Sequence, residues 1–218
     1  MRKPDRIPIH VGIIPDGNRR WAKKHGVDLF NAYETGYKKL VEIIKYLNKR
    51  GIQYVSVYGL SYDNCRNRPI HEKKIIEDIA IMALRDLRRD RELEEKGIRV
   101  LVLGDPGIFS SKLYEEVQIT VDATKNRDKG ILLIGICYSG SWETRKYCKS
   151  GSTLPSLSYP PIDLIIRTGG MRRLSGFFPL LSEYAELYFM DKLWPEITIR
   201  DVDQALDWFA RQPRNFGR

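Results

Sequence analysis

The sequence predicts an α/β protein: one domain over residues 1–218, built on a mostly parallel sheet of about six strands with helices on both faces. Short apolar runs, bounded by glycine-rich or polar turns, recur along the chain. Longer segments with helical spacing separate them, and strand, helix, strand in repetition is the pattern of a parallel sheet. No internal repeat or compositional break divides the 218 residues, and a 42% hydrophobic content suffices for one full-sized core.

The first strand falls at IPIHVGII and runs into the turn PDGNRR and a helix. Tyr37, Leu40, Val41, Ile44 and Leu47 then recur at helical spacing, with Gly51 just past the end as a stop signal. IQYVSVYGL is the second strand. A helix after Pro69, over about 72–96, carries Ile75, Ile76, Ile79, Ala80, Met82, Ala83, Leu84 and Leu87. So wide an apolar face suits packing against the sheet, with the lining of a channel for a long apolar ligand as the alternative. IRVLVLG, ILLIGICY and IDLIIR supply three more strands and ELYFM a sixth. Residues 149–161, KSGSTLPSLSYPP, read as a mobile connection.

The formal charge of +9, from 37 basic and 28 acidic side chains, implies an anionic partner. In an open parallel sheet, ligands bind beyond the carboxyl ends of the strands, where the loops are PDGNRR, SYDNCRNRP, GDPG, SGSWE and RTGGMRRLS. Three of the five combine arginine with Gly, Asn or Ser, so the charge converges on the ligand end. The arginines sit in separate loops with no aromatic–basic platform, which argues against nucleic acid. No run of 18 apolar residues and no signal peptide is found, so a soluble, cytoplasmic protein is expected. Cys65, Cys137 and Cys148 are odd in number and lack CxxC spacing; three reduced, mostly buried thiols are expected.

Guanidinium forks grip phosphate oxygens, glycines let backbone N–H groups approach, and a helix start adds partial positive charge. DGNRRW and RTGGMRRLS each offer this combination, which suggests two phosphate groups, or one diphosphate on each of two substrates. Neither has P-loop or dinucleotide-binding spacing. Asp16 would repel such a ligand unless a cation stood between them. Mg²⁺ takes one or two carboxylates plus substrate phosphates, and Asp16 with Glu186 would be the protein share. The ordinary alternatives are a helix cap or an ion pair to Arg19 or Arg20 for Asp16, and a plain edge charge for Glu186. His10, His25 and His71 form no metal-ligand pattern.

HVGIIPDGNRRWAKKHG resembles the first signature of the cis-prenyltransferases, the undecaprenyl diphosphate synthase family. SYDNCRNRP resembles a degraded second signature, and IIRTGGMRRLSGFFPLLSEYAELYFMDKLWPEI the last; LGD at 103–105 and the final NFGR also fall where that family has similar residues. The resemblance implies that an allylic diphosphate ionises, isopentenyl diphosphate attacks the cation, and proton loss leaves a cis double bond, with Mg²⁺ assisting. It places Asp16 at the metal and the leaving diphosphate. Gly17, Asn18, Arg19 and Arg20, with Trp21 beside them, cradle the allylic diphosphate. Ser61 and Asn64 aid proton removal, and Arg68 matches the arginine before the motif's proline. Arg167, Arg173 and Ser175 grip isopentenyl diphosphate. Glu186 serves the metal, with reach across a homodimer interface near ELYFMDKLWPEI as one option. A lipid product would allow peripheral membrane contact.

The chain departs from the pattern at named positions. The methionine before the aspartate is Pro15, an expected arginine falls on Leu29, and a Gly-His pair on Ala32 and Tyr33. The second motif's tryptophan is Cys65, with one extra residue before Arg68; the glutamate after RTGG is Met171, and the arginine of the terminal Arg-x-Gly is Asn215. Most of these lie on the allylic side, so a changed primer preference and a short product are expected. A non-standard acceptor or connectivity, and a non-catalytic partner subunit, are the alternatives; Asp16 and the complete RTGG favour the enzyme.

Overall fold

In the computed structural model, which describes residues 6–214, every expected strand forms. β1 (His10–Ile14), β2 (Tyr54–Ser61), β3 (Ile98–Leu103), β4 (Gly130–Tyr138), β5 (Leu164–Arg167) and β6 (Glu186–Phe189) make one sheet in the order β3-β4-β2-β1-β5-β6. All five pairings are parallel. From β1 the chain lays β2 beside it, skips to the edge for β3, inserts β4 between them, and then returns to add β5 on the other side of β1. The loops after β1 and β5 therefore diverge from neighbouring strands, which opens a crevice at their carboxyl ends.

The helices are α1 (Asn18–His25), α2 (Leu29–Lys49), α3 (Tyr62–Asn67), α4 (Ile70–Arg89), α5 (Arg91–Glu95), α6 (Ser111–Thr124), α7 (Gly140–Lys149) and α8 (Ile199–Arg211). Their starts follow side-chain chemistry: Asp28, Ser61, Asp90, Ser110, Ser139 and Thr198 each accept a first-turn backbone N–H, satisfying a donor the helix leaves orphaned. The larger core joins Val11, Val57, Ile134 and Ile166 of the strands to Leu47 of α2, Leu84 of α4, Val117 of α6 and Phe209 of α8. The second core gathers Tyr58, Tyr138, Phe177, Phe178 and Trp142 of α7, so a loop after β5 does much of the covering there. Helices do lie against both core clusters, but unequally.

Three expectations are corrected in detail. The helix expected over 72–96 starts at Ile70 and is divided at Asp90, which leaves helical geometry (ψ 114°), caps α5 through Leu93 N–H and pairs with Lys45 at 2.6 Å. Residues 149–161 are tied down: Ser156 N–H donates to Glu143 Oε1 at 2.7 Å, Tyr138 Oη–H to Glu143 Oε2 at 2.6 Å, and the Pro160 carbonyl meets His10 Nδ1 at 2.8 Å. Two of the three expected free thiols are joined as a Cys65–Cys137 disulfide, while Cys148 is free and exposed. The partners are 72 residues apart in sequence, and only the β2–β4 pairing brings their segments together.

His10 is 1% exposed, its Nδ1 proton given to Pro160 O and its Nε2 bonded to the Ser56 hydroxyl at 2.7 Å. Burial holds its pKa down at about 4. The unfolded imidazole protonates near its ordinary 6.5, so below that pH the unfolded state binds the proton first. Stability is full above 6.5 and falls as pH drops toward 4. Urea unfolding should show a loss of about 2 kcal/mol between about pH 7 and about pH 5 that His10→Gln does not show.

Candidate active site

A cavity of about 1150 Å³ opens at the carboxyl end of the sheet and runs inward between α2, α4 and the β2–β4 strands. This exceeds the roughly 300–1,000 Å³ of ordinary small-molecule pockets. Its mouth holds Asp16, Arg19, Arg20, Arg68, Arg167 and Arg173. Its depth is apolar, with Leu40, Ile44, Ile79, Ala83, Leu87 and Ile134 on the wall. The wide apolar face of α4 thus does both things considered for it: Ile76, Ile79, Leu84 and Leu87 are buried core residues and also line the cavity.

Asp16 lies at the crossing of β1 and β5. Arg167 Nη2 donates to its Oδ2 at 3.0 Å and Arg20 Nη2 to its Oδ1 at 3.1 Å. The backbone holds it as firmly: the Asp16 carbonyl accepts Thr168 Oγ1–H at 2.8 Å and Trp194 N–H at 3.1 Å. Arg20 also donates to Gly169 O at 2.7 Å. A side chain at Gly169, whose φ is +79°, would meet Arg20 Nη2 at 2.5 Å, so the close approach of the two loops needs glycine. The ion pair to Arg20 considered for Asp16 is present, whereas the residue at the cap position of α1 is Gly17.

The two arginine loops differ in what they offer an anion. At the start of α1 the N–H groups of residues 18–20 precede the first internal helix bond, Trp21 N–H to Gly17 O, and are free for a ligand. In the loop after β5, Gly169 N–H and Gly170 N–H are given to Lys192 O and Met190 O, so these glycines shape the turn and do not offer donors. That loop presents Arg173 and Ser175 to the cavity. Arg167, 4% exposed, bonds Asp16, Ser175 Oγ at 3.0 Å and the Arg173 carbonyl, with its buried Nε unpaired. Tyr58 Oη–H donates to Tyr138 O at 2.9 Å and lies 3.1 Å from Ser175 O, against the same loop.

Asn18 lines the cavity; its Nδ2 donates to Pro15 O at 3.3 Å and its buried Oδ1 has no partner. A Cβ at Gly36 of α2 would stand 2.3 Å from that Oδ1. Trp21 is outside the cavity wall and stacks on His25 at 4.6 Å. Ser61 and Asn64 both line it, joined by the cap bond from Asn64 N–H to Ser61 Oγ at 3.2 Å.

Glu72, in the first turn of α4, is a central residue that motif reading missed. Only 3% exposed, it accepts Tyr33 Oη–H at 2.8 Å and Arg68 Nη1–H at 2.5 Å, with Arg19 Nη1 3.6 Å away. Arg68 also bonds Tyr33 Oη. Burial is the main cause that pushes the Tyr33 phenol up to about 12, and the Glu72 carboxylate adds to it. The histidine-to-tyrosine departure therefore leaves a polar partner for Arg68 in place. Leu29 is not part of the cavity wall. Asn215 and the NFGR segment lie outside the described residues.

Glu186 does not join Asp16 within the chain. It begins β6, opposite Leu164, whereas Arg167 at the site is opposite Phe189, roughly 10 Å further along the strand. Among the described residues, no three His, Cys, Asp or Glu side chains gather as a metal site. Asp63 and Glu77 also line the cavity, but Asp16 is the partly exposed carboxylate that lies between Arg20 and Arg167. That donor set fits a hard cation that takes most of its ligands from phosphate oxygens and water. Among the described residues, no helix is long and apolar enough to cross a membrane.

A family model of undecaprenyl diphosphate synthases matches residues 14–217. The chain is 41% identical over 221 residues to a tritrans,polycis-undecaprenyl-diphosphate synthase (geranylgeranyl-diphosphate specific) of Aeropyrum pernix, covering 97% of this chain and 99% of that one. It is 32% identical to a ditrans,polycis-undecaprenyl-diphosphate synthase ((2E,6E)-farnesyl-diphosphate specific) of Pasteurella multocida, covering 98% and 96%. Among solved structures, lavandulyl diphosphate synthase of Lavandula x intermedia, in complex with dimethylallyl diphosphate, superposes with a TM-score of 0.87 at 26% identity, covering 97% of this chain and 99% of that one. With a charged mouth opening on an apolar cavity and matches that span the chain, the protein belongs to the undecaprenyl diphosphate synthase family and is a cis-prenyltransferase.

Proposed function

We propose that this cis-prenyltransferase condenses isopentenyl diphosphate with an allylic diphosphate of geranylgeranyl or farnesyl length. The observation that carries this reading is a single cavity with cationic arms on opposite sides of Asp16 and a deep apolar interior. The α1 start, Arg19, Arg20 and Arg68 hold the allylic diphosphate. Arg173 and Ser175 hold the isopentenyl one, while Arg167 orients Asp16. As the allylic carbon–oxygen bond breaks, negative charge collects on the departing diphosphate, where preorganised donors lower the barrier. The isopentenyl double bond closes on the allylic carbon, and the adjacent carbon of the isopentenyl unit gives up a proton to a diphosphate oxygen, with Ser61 and Asn64 beside the path, to restore a double bond. The apolar wall keeps water from the cation.

Asp16 is the residue that would hold Mg²⁺, which when bound shields the carboxylate from the diphosphate and stabilises the charge on the leaving group. Relatives named as undecaprenyl synthases, with a cavity of about 1150 Å³, favour repeated additions over the short product expected from the sequence. The lavandulyl diphosphate synthase likeness favours a second reading, in which a non-standard connectivity is formed. Product mass and NMR connectivity from geranylgeranyl, farnesyl and dimethylallyl primers decide between them.

Asp16→Ala should lower kcat by on the order of a hundredfold or more. Asp16→Asn, which keeps an acceptor for Arg167, should do so with an unchanged far-UV spectrum; normal turnover by either variant contradicts the assignment.

The two arms should separate kinetically. Arg173→Ala removes a charge-assisted contact worth roughly 1.5–3 kcal/mol and should raise KM for isopentenyl diphosphate by about ten- to a hundredfold. Glu72→Gln, which loosens Arg68 and Arg19, should raise KM for the allylic substrate instead. Equal effects on both substrates would show the arms are misassigned.

We further propose a homodimer through the β6 edge, where Tyr184 and Leu187 are exposed, so that Glu186 serves a neighbouring copy. Sedimentation equilibrium should give twice the chain mass, and a fully active monomer contradicts it. Ile70, exposed on α4 where it lines the cavity, would meet a bilayer if the lipid product draws the protein there.

A further inference from the structure

Helix α3 carries Asn64 and leads directly into Arg68, yet it has only six residues, too few to be stable by itself. Cys65 is its one buried side chain, 4% exposed. Its disulfide partner, Cys137, lies at the irregular end of β4, where the register with β2 shifts and φ is +49°, and hydrogen bonds hold it in place. Cys137 O accepts Asp105 N–H at 3.2 Å, and the next residue, Tyr138, is fixed through its carbonyl by Tyr58 Oη–H at 2.9 Å and through its own hydroxyl by Glu143. Both cysteines line the cavity. The covalent bond therefore crosses from the hydrogen-bonded end of β4 to a six-residue helix that leads into Arg68 of the allylic side.

We propose that the Cys65–Cys137 disulfide is a positioning element for the allylic site: it holds α3, and through it Arg68, against the cavity before substrate arrives. This rests on the assignment of Arg68 to the allylic diphosphate. A preorganised site loses less conformational freedom on binding, so the bonded form binds the allylic substrate more tightly than the dithiol form. Arg173 and Ser175 belong to the β5 loop, so the isopentenyl side is not affected. Dithiothreitol breaks the bond by passing two electrons: each Sγ becomes a thiol with one proton, and the reagent closes to its cyclic disulfide. Oxidised glutathione reverses this by exchange and leaves as two thiols.

The chain holds three cysteines, so alkylation of the denatured protein without reductant should add one group, at Cys148; three adducts on protein kept under air overturn the proposal. In wild type and Cys148→Ser, reduction should raise KM for geranylgeranyl diphosphate by about tenfold and leave KM for isopentenyl diphosphate within about twofold, with oxidised glutathione restoring the first. Cys65→Ala/Cys137→Ala, which removes the bond without placing a β-branched side chain at the positive φ of residue 137, should show the raised value and ignore reductant. Equal allylic KM in both redox forms, or an equal loss on both substrates, refutes it. Hydrogen exchange at a temperature where the reduced protein stays folded should rise over 61–68 and not across the sheet; a uniform rise refutes it too. If neither form turns over isopentenyl diphosphate, the condensation reading fails instead, and calorimetric titration of geranylgeranyl diphosphate into both forms still decides the positioning role.

Discussion

The carboxylate of Asp16 is shared between Arg20 from its own helix and Arg167 from a strand end 151 residues further on, and the site is arranged around that sharing. Arg167 is almost wholly buried, so its charge needs a partner; removing the carboxylate would leave it uncompensated. Because Arg167 also holds Ser175 and the Arg173 carbonyl, the same ion pair fixes the loop that lines the cavity mouth after β5. The Asp16 carbonyl in turn receives Thr168 and Trp194, which binds α1, the β5 end and the segment after β6 into one corner.

Beyond that corner the cavity changes character within a few residues. Arginines crowd the mouth, whereas the side chains behind them are those of an ordinary core. The same leucines and isoleucines of α2 and α4 that stabilise the fold by burial also form the wall that a hydrocarbon tail would touch. A cation generated at the mouth would sit between low-dielectric walls, where fixed dipoles and charges act more strongly than in water.

The Arg68 side of the cavity shows how a residue that departs from the family pattern can still hold its neighbours. Tyr33 stands where the family resemblance expects a histidine, yet its hydroxyl bridges Arg68 and Glu72, and Glu72 gathers Arg19 as well. Cys65 stands where a tryptophan is expected and exchanges a bulky side chain for a covalent link to β4. Both changes replace one way of holding the second-motif loop by another.

The sequence by itself determined the strands, the charged loops at their carboxyl ends, and Asp16 as the carboxylate set among arginine-rich loops. These depend on local signals: period-two or continuous apolar runs, turn residues, and motifs read within a short window. Even the wide apolar face of α4 was visible, though whether it packs or lines a cavity was not. Tertiary structure decided what depends on pairs far apart in sequence. Glu72 looked like any first-turn glutamate until α2 brought Tyr33 to it. The disulfide joins residues whose spacing carries no signal, because only neighbouring parallel strands set them side by side. Glu186 shares a motif with site residues but sits at the amino end of its strand, since parallel pairing with β5 fixes its height in the sheet. The mobile-looking 149–161 connection is held by Glu143 and His10, contacts that exist only once the second core has closed.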